Sequence, residues 1–265
     1  MNSHDSGTGI TYQVTDERLP WQTGHPPVVF HHGVGARGEM WLGWNSALCD
    51  RHALVRTNMR GHGGSAVPKG FRWTLDALAS DLEAVVTSAG ADAVHLVGES
   101  VGGTVALAYA LAYPDRVRTL CICNGAHLGG KLTNLNNWAS LMADGGMPAW
   151  SEHMMGCRFN PGAISRDAYN WYEGQQREAD ATAILDALSM LIGTDLGPRL
   201  NEIRIPVLLL HPDASPFIPV SVMADLNDKL PDSRLQVFAN AKHGLPFSHA
   251  TQCAQLYAQF LAERG

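Results

Sequence analysis

A chain of 265 residues, with 45% hydrophobic and 17% charged residues, has an ordinary globular composition and can bury a substantial core. This length predicts one large domain, or one domain that carries a sizeable insertion. The formal net charge of −6 and the absence of any Lys/Arg run argue against nucleic acid or an anionic membrane as the main partner.

The N-terminal stretch "MNSHDSGTGITYQV" has no basic region followed by an apolar run, so it is not predicted to be a signal peptide. The apolar helix predicted over 100–112 is too short to span a bilayer. The five cysteines are odd in number and contain no CxxC pair, which favours reduced thiols in a cytoplasmic protein. We therefore expect a cytoplasmic location. The sequence predicts no oligomeric state.

Strand-like and helix-like stretches alternate over most of the chain. The predicted strands are 10–14 (an edge strand), 26–33, the first part of 52–65 before a glycine-rich loop, 93–98, 117–125, 206–213 and 234–240. The predicted helices are 39–50, 74–90, 100–112, about 220–230 and about 249–262. This alternation predicts an α/β fold with a mostly parallel central sheet that is flanked by helices on both faces.

The alternation stops between residues 127 and 200, where tryptophan- and methionine-bearing helical stretches occur without a convincing strand. We interpret 127–200 as a helical cap inserted between two strands. The core domain would then consist of 1–126 and 201–265.

A serine lies between two glycines in "VHLVGESVGG", where a buried-looking strand gives way to a helix. Gly98 and Gly102 leave room for a sharp turn, and the helix N-terminus behind Ser100 favours developing negative charge. This context predicts that Ser100 is a nucleophile. The sequence leaves open whether the adjacent Glu99 faces a pocket or pairs with a neighbouring loop.

A serine hydroxyl needs a base within hydrogen-bond reach. Among twelve histidines, His243 is the best candidate, because "NAKHGLPF" follows the last predicted strand and so emerges at the same sheet edge as Ser100. The backbone N–H groups of Val34 and Val101 are predicted to bind the oxyanion. His31 and His32 point opposite ways on a strand, so no metal site is expected there.

These motifs resemble the α/β-hydrolase superfamily over nearly the whole chain. "HHGVG" resembles the oxyanion loop, "NMRGHGGS" a glycine-rich loop, "VGESVGG" the nucleophile elbow and "AKHG" the histidine loop. The stretches "RGHGGSAVP", "LAYPDRVRTLCICNGA" and "GMPAWSEHMMGCRF" are most similar to the 3-oxoadipate enol-lactonase-like branch. The resemblance implies an α/β-hydrolase fold and a cofactor-free hydrolase of small esters, lactones or related acyl compounds.

The third member of the triad departs from the family pattern. "LLLHPDASPFIP" places Ser215 where the family usually has aspartate, and serine carries no charge to stabilise an imidazolium. One interpretation is that Asp213 reaches His243 and orients it; we expect this, with Ser215 as a supporting group. The other is a degenerate triad, with any acid elsewhere, although the strand end near Asn124 is also uncharged.

Candidate substrate contacts lie in the cap and beside the oxyanion loop. Two arginines would suit a substrate carboxylate, and the others are aromatic or imidazole side chains that usually pack a core; the set is Arg37, Trp138, Trp150, His153, Arg158, Trp171 and Tyr172. The alternatives to an ester or lactone hydrolase are a carbon–carbon bond hydrolase of a ring-cleavage product and a non-catalytic ligand-binding protein. The elbow reads GESVGG rather than GNSMGG, which disfavours the former.

Overall fold

The chain folds around one eight-stranded sheet, seen in a computed structural model that describes residues 3–22 and 24–265. The strands are β1 (Ser3–Asp5), β2 (Thr11–Thr15), β3 (Val28–His31), β4 (Leu54–Thr57), β5 (Val94–Glu99), β6 (Val117–Cys123), β7 (Val207–Pro212) and β8 (Ser233–Phe238). The helices are α1 (Asn45–Leu48), α2 (Leu75–Ser88), α3 (Val101–Ala112), α4 (Trp138–Arg158), α5 (Arg166–Glu178), α6 (Ala181–Ile192), α7 (Val220–Lys229), α8 (Leu245–Ser248) and α9 (Ala250–Arg264).

The strand order is β1-β2-β4-β3-β5-β6-β7-β8. The first two pairings, β1 with β2 and β2 with β4, are antiparallel, and all the others are parallel. The predicted mostly parallel sheet with flanking helices is therefore confirmed. Because parallel strands end at the same edge, the residues that follow β3, β5, β6, β7 and β8 meet there.

Local sequence explains why the central elements form where they do. Every residue of β5 is buried, which accounts for the lack of apolar–polar alternation in its sequence. The α2 helix begins after Thr74, whose side chain accepts a hydrogen bond from the Ala77 amide, and ends before Gly90, which has φ of 69°. Ten residues of α3 are buried, so this helix packs as a core element beneath the serine.

Two predicted elements need correction. The stretch 10–14 is not the edge strand, because the short polar strand β1 pairs outside β2. Three exposed residues with no apolar alternation leave no pattern from which β1 could be predicted. The helix predicted over 39–50 is a 3₁₀ helix, Gly38–Trp44, followed by the four-residue α1.

Between β6 and β7 the described chain contains α4, α5, α6 and short 3₁₀ turns. The backbone pairing there is an isolated bridge between Leu128 and Asp195. The α4 helix is broken at Gly146, which has φ of 66°, so its two halves point in different directions. The division into core and cap remains a prediction. None of the described helices is long and apolar enough to cross a bilayer.

Candidate active site

Ser100 occupies the sharp turn between β5 and α3. Its backbone has φ of 55° and ψ of −123°, a conformation that few non-glycine residues adopt. Such strain is characteristic of a nucleophile elbow, which lifts the serine hydroxyl out of the turn. A Cβ at Gly102 would lie 2.5 Å from the carbonyl oxygens of His31 and His32, so glycine is required for the elbow to pack against β3.

The structure brings His243 to Ser100. The loop between β8 and α8 places Nε2 of His243 3.0 Å from Oγ of Ser100, and the imidazole is buried, with 2% of the residue exposed. The ring of Phe217 packs edge-on against it at a centroid distance of 4.9 Å. The pair therefore has the geometry that proton transfer from the hydroxyl requires.

The other ring nitrogen of His243 contacts Ser215, and the expected contact with Asp213 has to be corrected. Nδ1 lies 3.0 Å from Oγ of Ser215. The carboxylate of Asp213 instead accepts hydrogen bonds from the amides of Asn240 and Ala241, at 3.0 and 3.2 Å. Because the turn after β7 packs against the turn after β8, Asp213 holds the backbone that leads to His243 and does not touch its ring.

Ser215 is a poor substitute for a carboxylate. Its oxygen already accepts hydrogen bonds from the amides of Phe217 and Ile218, at 3.4 and 3.2 Å. Because the Phe217 contact is long for an amide hydrogen bond, Oγ of Ser215 keeps a lone pair with which it can accept from Nδ1–H of His243. The productive tautomer of His243 carries its proton on Nδ1 and leaves Nε2 free to accept the proton of Ser100, and a neutral hydroxyl favours that tautomer less than a carboxylate would.

The loop after β3 is held from three sides. The Gly33 amide donates to the carboxylate of Glu99 at 2.8 Å, and the Gly35 amide donates to Nε2 of His62 at 2.9 Å. The carbonyl of Val34 accepts from Nη2 of Arg158 at 2.5 Å. These contacts leave the Val34 amide free to donate to a ligand, since it donates to no acceptor among the described residues.

Burial dominates the electrostatics of the site. It holds the pKa of His243 well below its usual range, and the charges of Arg158 and His211 lower that pKa further. Burial also lowers the pKa of His62 to about 4, so this ring is a neutral hydrogen-bond acceptor for the loop. Burial raises the pKa of the Glu99 carboxyl, a rise that Arg158, the Gly33 amide and Asn124 oppose.

A small apolar cavity of about 30 Å³ opens beside Ser100 and His243. This volume holds about two water molecules. Its lining is almost wholly hydrophobic; besides the catalytic candidates it comprises Val34, Val101, Leu132, Leu135, Trp138, Met154, Arg158, Ala187, Leu188, Leu191, Phe217 and Ile218.

Of the seven predicted substrate contacts, two line this cavity: Trp138 and Arg158. Arg158 is committed to protein partners, because Nε donates to Gln176 and Nη2 to Val34. Its positive charge faces Glu99, with 3.7 Å between Nη1 and Oε1. A substrate carboxylate would therefore have to compete with a buried carboxylate that is already in place.

The other five lie elsewhere. Arg37 pairs with Glu39 and Glu178 outside the cavity. The remaining four lie on α4 and α5 and pack against aromatic or cysteine side chains: Trp150 against Trp138, His153 beside Cys157, Trp171 stacked on Phe247, and Tyr172 against Phe159. The cavity residues that sequence reasoning missed are mostly leucines, which carry no signal that separates a ligand contact from a core contact.

The fold is that of a hydrolase family, as comparison with known proteins shows. The family described as alpha/beta hydrolase fold matches residues 26–250, and the chain belongs to that family. The chain is 25% identical over 248 residues to the pimeloyl-(acyl-carrier protein) methyl ester esterase of Aeromonas hydrophila, covering 89% of this chain and 95% of that protein. It is 26% identical over 260 residues to the 2-hydroxy-6-oxo-2,4-heptadienoate hydrolase of Pseudomonas putida, covering 89% of each.

Among solved structures, the enol-lactonase from Burkholderia xenovorans LB400 superposes with a TM-score of 0.84 at 21% identity, covering 97% of each chain. At this identity the likeness establishes the fold. Together these similarities make the protein an enzyme of the hydrolase type, whose substrate has to be argued from the site.

Proposed function

We propose that this protein is a serine hydrolase that cleaves a small ester, lactone or related acyl compound through an acyl-enzyme on Ser100. The observation that carries the proposal is the 3.0 Å contact between Oγ of Ser100 and Nε2 of His243 at a strained strand-to-helix turn. A buried, apolar surrounding keeps the imidazole neutral and so able to act as a base.

In the proposed first step, Ser100 Oγ attacks the acyl carbon while its proton moves to Nε2 of His243. The electron pair of the carbonyl bond passes to the oxygen, which the Val34 and Val101 amides bind. The Val101 amide is in the first turn of α3, where a helix leaves its N–H groups without intrahelical partners. The carbonyl re-forms as the bond to the leaving group breaks, and His243 protonates that group.

In the second step, water attacks the acyl-enzyme. His243 takes one proton from the water, the carbon–Oγ bond breaks, and the proton returns to Ser100 as the acid product forms. The groups that act in this cycle are the Ser100 and His243 side chains, the two backbone amides and a water molecule.

The size and lining of the cavity support a short acyl group. A volume of about 30 Å³ next to Ser100 accommodates a few non-hydrogen atoms, and hydrophobic side chains surround it. Binding a longer acyl group would require the helices between β6 and β7 to move away from the sheet edge. The similar proteins include a methyl ester esterase and an enol-lactonase, and their names agree with an ester or lactone as the class of substrate.

An active-site probe tests the proposal directly. A fluorophosphonate should label the purified protein at Ser100, identified by mass spectrometry of the modified peptide, and Ser100→Ala should not be labelled. The same preparations should be assayed with p-nitrophenyl acetate and with small lactones. Turnover by wild type and a loss of about 10⁴-fold or more in Ser100→Ala is expected. Normal turnover in pure, folded Ser100→Ala contradicts the proposal.

Hydrolysis of a carbon–carbon bond is a second candidate. It is favoured by the similarity to the Pseudomonas putida hydrolase, which covers 89% of both chains. A vinylogous 1,5-diketone offered to the enzyme separates the two functions. Turnover of this compound with kcat/KM above that for every small ester and lactone tested would favour the carbon–carbon reaction.

A further inference from the structure

We infer that Glu99 is a positioning residue that provides the anion for the His243 imidazolium, in place of the triad acid that Ser215 cannot supply. The inference deepens the proposed serine-hydrolase function and rests on it. Glu99 directly precedes Ser100, and its side chain is fully buried. Within the described residues it is the one carboxylate that comes within 4.0 Å of a His243 ring nitrogen, with 3.9 Å between Oε1 and Nε2.

Two hydrogen-bond donors hold the carboxylate in this place. The Gly33 amide donates to Oε2 at 2.8 Å, and Nδ2 of Asn124 lies 3.3 Å from Oε1. The same Asn124 nitrogen donates to the backbone carbonyl of His243 at 2.9 Å. Asn124 stands at the end of β6 in a left-handed conformation, φ 42°, so it ties the carboxylate and the histidine loop to the same strand end.

A buried carboxylate needs a compensating charge. Arg158 supplies it, with Nη1 3.7 Å from Oε1 of Glu99, and this nitrogen has no hydrogen-bond partner among the described residues. The resting site thus contains one negative and one positive charge, both buried. When His243 takes the proton of Ser100, Glu99 lies between the guanidinium and the new imidazolium.

Polar and charged groups from several elements face His243 and Glu99. Around His243 they are Ser100, Ser215, Glu99, Arg158 and His211; around Glu99 they are Arg158, His243, Asn124, Cys123 and Tyr172. Burial, Arg158 and His211 oppose a positive charge on the ring. The carboxylate of Glu99 lies 3.9 Å from Nε2, and at that distance a negative charge attracts an imidazolium. Removing the Glu99 charge should therefore make the imidazolium harder to form.

The test compares Glu99→Gln with wild type. Glutamine keeps an oxygen that accepts from the Gly33 amide and removes the charge. We expect kcat to fall about 10- to 100-fold, with little change in KM. The control is Glu178→Gln, which removes an exposed carboxylate paired with Arg37 outside the cavity and should leave kcat unchanged.

The decisive readout is rescue by a carboxylate on the other side of the ring. Ser215→Asp places an anion at Nδ1 and should raise kcat by about tenfold or less in wild type, because Glu99 already serves. In the Glu99→Gln background, Ser215→Asp should raise kcat by a factor at least ten times larger than its factor in wild type. The acid limb of kcat/KM, compared in the Ser215→Asp background, should move about one pH unit lower when Glu99 becomes glutamine.

A merely structural role for Glu99 gives a different pattern. The inference would be overturned if Ser215→Asp raised kcat by the same factor in wild type and in the Glu99→Gln variant. It would also be overturned if Glu99→Gln did not move the acid limb of kcat/KM. Glu99→Gln could fail to fold because Arg158 loses its partner, and Ser215→Asp in the otherwise native enzyme then decides. A rise in kcat above about tenfold overturns the inference, and a smaller rise supports it. Fluorophosphonate labelling of wild-type Ser100 is measured first, because its absence refutes the serine-hydrolase proposal itself.

Discussion

His243 lies between two serine hydroxyls, with Ser100 Oγ 3.0 Å from Nε2 and Ser215 Oγ 3.0 Å from Nδ1. The first contact suits a nucleophile and its base. The second places a neutral group, whose oxygen already accepts two amide hydrogen bonds, where a charged one would stabilise the imidazolium. In the proposed mechanism, Ser100 and His243 thus form a nucleophile–base pair that has a weak third member in Ser215.

Ser215→Asp is therefore expected to increase activity. A carboxylate would accept the Nδ1 proton, favour the productive tautomer and raise kcat about three- to tenfold. Ser215→Ala, the matched control, should lower kcat about tenfold or less because it removes only a neutral contact. Initial rates with a short-chain p-nitrophenyl ester would measure both. A Ser215→Asp variant that is folded and at least tenfold slower than wild type would refute this assignment.

Asp213→Asn should affect stability more than turnover. Its carboxylate is exposed and caps the amides of Asn240 and Ala241, so the change weakens two charge-assisted hydrogen bonds. We expect a loss of about 1 kcal/mol in the free energy of unfolding, measured by urea denaturation, and kcat/KM within about threefold of wild type. A 100-fold loss of kcat/KM at unchanged stability would restore Asp213 as the acid.

Gly35→Ala should damage the oxyanion site. Gly35 has φ of 69°, and a Cβ there would lie 2.6 Å from Cη2 of Trp150, so the loop must shift and move the Val34 amide. We expect kcat to fall about 100-fold, as for loss of one oxyanion donor. Gly130→Ala is the control, because a Cβ at Gly130 has nothing within 4 Å. Equal kcat values for the two variants would show that the Val34 amide is not used.

Leu188→Ala should broaden the acyl range. Leu188 lines the cavity, and its truncation should raise the hexanoyl-to-acetyl ratio of kcat/KM about tenfold. Leu226→Ala is the control, because Leu226 is fully buried in α7 and does not line the cavity. Each truncation should lower the free energy of unfolding by roughly 2–5 kcal/mol. If both variants change the acyl preference equally, the cavity beside Ser100 is not the acyl site.

Stability should fall as the pH is lowered below about 6.5. Burial lowers the pKa of His31 and of His62 to about 4 and that of His95 to about 3, so these rings stay neutral in the folded protein. The unfolded chain takes up protons near pH 6.5, binds more of them than the folded chain, and is favoured progressively down to about pH 4. Urea midpoints at pH 7.5, 5.5 and 4.5 would measure this. A midpoint that is unchanged at pH 4.5 contradicts it.

Local sequence patterns determine a large part of this protein. The alternation of apolar strands and amphipathic helices predicts the parallel sheet, since each pattern depends on residues close together in the chain. The glycines around Ser100 predict the elbow for the same reason. His243 could be predicted as well, because loops that follow parallel strands necessarily meet at one edge.

Tertiary packing decided what the loops do with their side chains. Asp213 and Ser215 are two residues apart, and which of them faces His243 depends on how the turns after β7 and β8 pack, with the Asp213 carboxylate bound to Asn240 and Ala241. Glu99 meets Arg158 only because the end of α4 folds back over the elbow. Charges 59 positions apart in the chain leave no local pattern, so only the folded structure could place this buried pair beside the imidazole.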